Sequence, residues 1–299
     1  MADRDHLARA LWTLFEPVHA STYFSTEARE ALAAIGLTRY WDGYFAGRSA
    51  PMGALSGAPV VAMFSGFAPF LVDRALPAVW SVATPEQVIE ARYVGAAATL
   101  RAIIPDEKVI AVAADALTPL VVDLDTIGRP LSAAYAALPL EDDPYRRLWQ
   151  VAGTLREHRG DGHVIALVSL GISGLTTLVL RAGVDLDATS MKKARGWTDE
   201  EWDVEAERLV ERGLLTPDRR ISPAGAHLLD QAEGLTNRLA IGPLASLSHD
   251  DIRAVATKLH PIASAVASLF PYPNPIGMPV SWNPDADADA RMIAESPTR

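Results

Sequence analysis

The stretch RGWTDEEWDVEAERLVERGLLTPDRRISPAG, Arg195–Gly225, decides how the chain is read. Thr198 stands where a helix N-cap belongs. Asp199, Glu200 and Glu201 fill the first turn, where the positive end of the helix dipole favours carboxylates. Trp202, Ala206, Leu209 and Val210 recur at helical spacing and predict the buried stripe. Gly213 ends the helix, and Leu214 and Leu215 lead into a predicted two-stranded hairpin turning through TPDRRI. Ser222 caps a further helix reaching to Leu239. The exposed side of the first helix is acidic: Asp199, Glu200, Glu201, Asp203, Glu205, Glu207 and Glu211 stand against Arg208 and Arg212.

The rest of the composition points the same way. The 299-residue chain has 27 basic and 37 acidic residues and a formal net charge of −10, so a phosphate backbone repels it unless its cations cluster. At 49% hydrophobic it can bury a sizeable core, enough for one large domain or two ordinary ones. Cysteine is absent, which excludes disulfides, thiolate metal sites and cysteine nucleophiles. The opening MADRDHLARALWTLF mixes charges into an apolar helical pattern, unlike a secretory leader, and the expected location is cytoplasmic. Residues 51–72 are broken by prolines 51, 59 and 69. Residues 163–180 fall short of the ~20 a spanning helix needs. Both read as buried core helices, with no membrane partner.

Working outward, the first 144 residues read as a helical domain. Leu7, Leu11, Leu14, Phe15 and Val18 repeat at helical spacing, Ser25 or Thr26 caps a second helix, and TRYWDGYFAGR supplies an aromatic-rich third. Thr84-Pro85-Glu86 and Pro105-Asp106-Glu107 are helix starts. PLEDDP, 139–144, is the expected boundary. A second unit, 145–240, is predicted as a helix over 145–158, a break at 159–162, a central helix over 164–180, a short helix ending near Gly196, and the acidic unit above. Residues 241–282, with a helix from His249 and a proline-rich segment, are expected to pack back on the first domain. Residues 283–299 are expected to be a disordered tail.

The stretches RLVERGLL, DRR and ISPAGAHLL resemble the helix end, wing and following helix of winged-helix regulators of the MarR type. More widely, YFSTEAREAL, YFAGRSAPMG, FSGFAP, DGHVIAL, RGW, ERGLL and PNPIG are similar to an actinobacterial family of helix-turn-helix proteins. The resemblance implies a mainly α-helical fold: an N-terminal helical region packed on a MarR-like winged helix with a small two-stranded wing. It also implies DNA binding, for which the candidate cations are Lys192, Lys193, Arg195, Arg219 and Arg220, and a homodimer through terminal helices. The residues argue otherwise. A groove-reading helix needs Arg, Lys, Asn or Gln at its exposed start, whereas the helix over 199–211 is acidic and disfavours DNA.

Most chemical motifs fail. There is no Walker A loop, no G-x-G-x-x-G and no H-E-x-x-H. Ser190-Met-Lys-Lys193 lacks the companion motifs of an S-x-x-K enzyme. Asp285, Asp287 and Asp289 begin like a calcium loop, but Ala290 and Ser296 stand where Gly and Glu belong. In His158-Arg-Gly-Asp161-Gly-His163 the histidines do not share a helix face. The cluster reads as a helix start capped by Asp161, with no metal expected. Glu16, His19 and Tyr23 are spaced for one helical face if Pro17 does not break it, and a Glu/His pair is an acid–base candidate. The leading expectation is a protein that binds a small, largely apolar organic ligand in a helical pocket, with His19, Tyr23, Tyr44, Arg48 and His163 as anchors. A DNA-binding regulator is the first alternative. An enzyme using Glu16 and His19 is the second, with substrate and cofactor unspecified.

Overall fold

The structure is a computed structural model that describes residues 2–270, 277 and 280–286. Its α-helices, in order, are α1 (Ala2–Ala20), α2 (Thr26–Ala34), α3 (Tyr40–Ser49), α4 (Gly57–Phe64), α5 (Pro69–Asp73), α6 (Pro85–Ile103) and α7 (Glu107–Leu117). They continue with α8 (Pro130–Ala136), α9 (Pro144–Ser169), α10 (Gly174–Ala182), α11 (Ala188–Arg195), α12 (Asp199–Glu211), α13 (Pro223–Leu239) and α14 (His249–Val266). Many start where the side chains dictate. Thr84 and Thr198 each close a capping box, and Ser25, Asp106 and Ser222 cap their helices through side-chain oxygens.

The central element is α9, 26 residues long and so about 39 Å from end to end. It packs against α1, α6, α7, α8 and α13. The predicted break at 159–162 is not there; the helix runs through it and stops at Leu170, and α10 begins at Gly174. The glycines that suggested a turn serve close packing instead. A Cβ at Gly162, for example, would lie 2.7 Å from the Arg129 guanidinium, whose Nη1 donates to the His158 carbonyl. Tertiary contact overrides the weak helix propensity of glycine here. It also follows that Asp161 is no helix cap: it lies mid-helix and accepts a bond from the Ser132 backbone N–H at 2.9 Å.

One core joins α1, α6, α7, α9 and α14, with Leu11, Leu14, Leu100, Leu148, Leu259 and Ile262 at its centre. α14 therefore covers α1 and α7 rather than the apolar 53–72 stretch, which builds a second core of its own with Phe45, Leu76 and Leu131. Of the proline-rich segment, Trp282 is fully buried, and its backbone N–H donates to Thr13 Oγ1 at 2.8 Å. Residues 287–299 of the expected tail lie outside the described residues. Among the described residues no single helix is long and apolar enough to cross a membrane. α9 and α10 pass that test only as a pair, bent by 89°.

A third core joins α10, α11 and α12 around Leu180, Met191, Trp202, Leu209 and Leu215. The two-stranded wing expected from the sequence does not form. Among the described residues there is no strand, only an isolated antiparallel bridge between Leu215 and Ile221. The two arms are too short to extend the ladder. Pro217 has no N–H, Arg219 takes a positive φ of 58°, and the Leu214 N–H that would pair with the Ser222 carbonyl turns back to the Leu209 carbonyl. The fold is all-helical.

Candidate ligand site

α1 continues through Pro17 to Ala20, so Glu16 and His19 sit on one face, with Tyr23 in the short turn that follows. Opposite them, Gly153 of α9 leaves room for the imidazole: a Cβ there would lie 2.4 Å from His19 Nδ1. His19 is fully buried and stacks on Trp149, ring centroids 4.5 Å apart at 15°. Its Nδ1 faces the Trp149 carbonyl at 3.5 Å. Nε2 faces the Tyr23 hydroxyl at 3.5 Å and Arg92 Nη2 at 3.3 Å. A carbonyl on one side and two donors on the other fit the neutral tautomer protonated at Nδ1. Burial, with the charges of Arg92 and Arg156, holds the pKa well below the usual histidine value.

A line of charges runs beside this ring. Arg48 grips Glu157 with two bonds, Nε to Oε1 at 3.1 Å and Nη2 to Oε2 at 2.7 Å. Arg156 donates to Glu157 Oε1 at 2.8 Å and to Glu16 Oε1 at 2.8 Å. Burial pushes the Glu157 carboxyl up, but Arg48 and Arg156 outweigh it and hold it down at about 2. Glu16 is thus bonded to Arg156 and to the Trp12 N–H, not to His19, so the pair envisaged for acid–base chemistry is not hydrogen-bonded.

Above the cluster, a cavity of about 240 Å³ opens between α2 and α3, walled by Tyr23, Leu32, Leu37, Tyr40, Tyr44 and Arg92. Three arginines and no carboxylate line it, Arg29 and Arg39 being the other two. Tyr44 accepts a bond from Arg48 Nη1 at 3.3 Å. Burial opposes its ionisation, but Arg48, Arg195 and Arg156 outweigh that and hold the phenol below its usual value. The helical unit at the other end of the chain touches the same region. Arg195, at the end of α11, lays its guanidinium 4.5 Å from the Phe67 ring. Its carbonyl accepts from the Ala68 N–H at 2.9 Å, and the Trp197 indole donates to the Gly66 carbonyl at 3.0 Å. A Cβ at Gly174 would lie 1.9 Å from the Ser65 oxygen, so only glycine allows this seam to close.

Of the expected anchors, His19, Tyr23, Tyr44 and Arg48 come together. His163 does not: its Nδ1 meets Thr236 Oγ1 at 3.0 Å, on α13, near the Arg159–Glu233 ion pair. Sequence reasoning passed over Arg92, Trp149, Arg156 and Glu157. Their signal was there to find: Arg92 is a lone charge among Val88, Ala91, Gly95 and Ala96, and Arg156 and Glu157 interrupt the apolar side of α9. Among the described residues no group of three or more metal-ligating side chains occurs.

The His158–Asp161 stretch has a consequence for acid stability. Burial, then the charge of Arg129, lowers His158 to about 4, so between about pH 6.5 and 4 the unfolded chain holds a proton that the folded chain lacks. Stability falls as pH falls through that window. Burial raises Asp161 to about 6, so between about pH 6 and 3.8 the folded chain holds the extra proton and the slope reverses. The two effects oppose each other over roughly pH 4–6. Asp161→Asn should therefore steepen the acid loss of stability there, by at most about 1.4 kcal/mol per pH unit. Urea titrations across that range check this; an unchanged slope counts against the pairing.

Along α12, four of the seven acids are engaged. Asp199 pairs with Lys192, Asp203 with Arg219 and Glu205 with Arg208, while Glu201 closes the capping box on Thr198. Two of the five candidate DNA-binding cations are thereby occupied, and Arg195 is turned inward; Lys193 and Arg220 are exposed. α11, the Gly196 turn with φ 79° and α12 nevertheless form a helix–turn–helix unit. The sequence profile described as "Helix-turn-helix family" matches residues 8–271. The chain belongs to this family. The match covers the cavity as well as α11 and α12, so in this helix-turn-helix protein the N-terminal helices are part of the family's own pattern. No curated protein and no solved structure matches the chain.

Proposed function

We propose that this helix-turn-helix protein binds a small, largely apolar organic molecule between α2 and α3. The observation that carries this reading is the 240 Å³ cavity, whose wall combines leucines and tyrosines with the Arg92 guanidinium, directly beside the buried His19 cluster. Functional pockets have this character, mostly apolar with a few placed polar groups. His19, Tyr23, Tyr44 and Arg48 supply or brace those groups. Native mass spectrometry of the full chain tests it. A co-purified small molecule is expected on the wild type and absent from Leu32→Trp, a substitution that fills the cavity. No retained molecule, together with no thermal shift from indole or naphthalene derivatives, sinks the reading.

Family membership favours a second reading, a DNA-binding regulator, of which a MarR-type homodimer is the finer form. Contact would run through Lys193 and Arg220, with Lys192 and Arg219 released from their acids. Titrating DNA from beside the protein's own gene at several salt concentrations decides it. Specific binding that weakens with salt and is lost in the double variant Arg219→Ala, Arg220→Ala supports the regulator. Binding that is equally weak for every sequence counts against it.

A further inference from the structure

We infer that the cavity takes a small organic carboxylate, its carboxylate on Arg92 and its apolar body against Leu32, Leu37 and Tyr44. This rests on the ligand-binding reading and adds the ligand's charge. Arg92 is 6% exposed, deep on α6. Nη1 donates to the Gly47 carbonyl at 2.7 Å and to the Tyr135 hydroxyl at 2.6 Å, Nη2 faces His19 Nε2, and the guanidinium lies 4.6 Å from the Trp149 ring. All of these partners are uncharged. The nearby Glu157 is taken up by Arg48 and Arg156, and Arg156 also holds Glu16. Among the described residues, then, Arg92 is a buried cation with no carboxylate of its own.

A buried charge without a counter-charge is expensive, and a guanidinium cannot escape by losing its proton. Its neutral acceptors satisfy hydrogen bonds but leave the charge uncompensated. Nε–H and one Nη2 hydrogen have no acceptor among the described residues, and Arg92 is on the cavity wall. A carboxylate can take two parallel N–H bonds from a guanidinium at once. The rest of the lining agrees: no acid is present to repel an anion, Arg29 adds a second cation at the rim, and Tyr44 and Tyr40 offer flat apolar surface for a ring.

The test compares matched pairs of aromatic acids and their primary amides: benzoate, phenylacetate, 2-naphthoate and indole-3-acetate. Affinity for the full-length protein is measured by calorimetry and thermal shift, with inorganic phosphate as a third arm. At least one acid should bind roughly tenfold to a hundredfold tighter than its amide, the range expected for charge-assisted bonds. Phosphate alone should shift the melting temperature far less. In Arg92→Met the acid and amide should converge, and Arg92→Lys should restore part of the difference. Amides that bind as well as acids, with binding lost in Leu32→Trp, overturn the carboxylate while leaving the pocket standing. Phosphate binding as tight as the best acid overturns the apolar half. If no acid or amide binds at all, the pocket reading falls as well.

Discussion

Glu157→Ala is expected to destabilise the protein by about 3–5 kcal/mol, the cost of breaking a buried ion pair from one side. The side chain is 1% exposed and holds two arginines at once. Among the described residues, removing it leaves Arg48 hydrogen-bonded to the Tyr44 side chain and Arg156 to that of Glu16, with only aromatic rings, Phe64 and Tyr23, against their guanidinium groups besides. The loss exceeds that of an ordinary surface pair, worth about 0–1 kcal/mol, because water cannot reach the stranded guanidinium to replace the carboxylate. It is also large against the ~5–15 kcal/mol that holds a typical domain together. Removing both partners of the bidentate pair, Arg48→Met with Glu157→Leu, should cost clearly less than the sum of the single changes, since no charge of that pair is then stranded. Urea unfolding of the singles and the double settles this. A loss below 1 kcal/mol for Glu157→Ala would show that solvent enters the cluster. The direction of the pKa adds a check: a carboxyl held at about 2 contributes its stability above the unfolded value of about 4.5 and loses it only as pH falls towards 2.

The helix starts were legible because they are local. Thr84, Asp106, Thr198 and Ser222 act on backbone N–H groups two or three residues away, and nothing distant has to agree. The misplaced break in α9 has the opposite origin. The run His158–His163 looks like a turn by composition, yet Gly162 is small because Arg129 and Leu239 press on α9 at that point. Neither residue is near in sequence. The hairpin failed for a local reason. Its residues suit a wing, but the Leu214 N–H that would continue the ladder to the Ser222 carbonyl is taken by the Leu209 carbonyl in the last turn of α12.

The candidate site divides the same way. Glu16, His19 and Tyr23 were legible as a spacing, whereas Arg48 reads as loop ahead of Pro51 and becomes a helical neighbour of Tyr44 only because α3 runs on to Ser49. That these two groups meet across α9 was not legible either, because it depends on Gly153 admitting His19 and on Glu157 holding Arg48. His163 was misplaced once the start of its helix was misplaced. A rule remains that would have found Arg92 and Glu157: a single charge inside an otherwise apolar helical stripe needs a partner, and the partner is another such charge or a ligand.

The acidic helix supplies the last expected result. Trp202→Ala should cost about 3–5 kcal/mol through lost burial and the cavity left behind. The ring is 4% exposed and packs in the core that joins α10, α11 and α12, so its loss loosens the whole helix–turn–helix unit. The acids on the opposite side should matter far less. Glu200→Gln is expected to stay within about 0.5 kcal/mol, with the first-turn dipole making it slightly unfavourable. Glu201→Gln should behave alike, because glutamine can still accept from the Thr198 N–H and keep the capping box. Asp203 is different in kind. Its carboxylate ties α12 to Arg219 in the 216–221 turn, so Asp203→Asn frees a cation without disturbing the core. If α12 is scaffold, that change leaves DNA affinity as it was. If the unit reads DNA, releasing Arg219 tightens nonspecific binding and steepens its salt dependence by up to about one phosphate contact. Trp202→Ala unfolding with a loss under 1 kcal/mol would remove the premise of both outcomes, since α12 would then not be anchored by its apolar side.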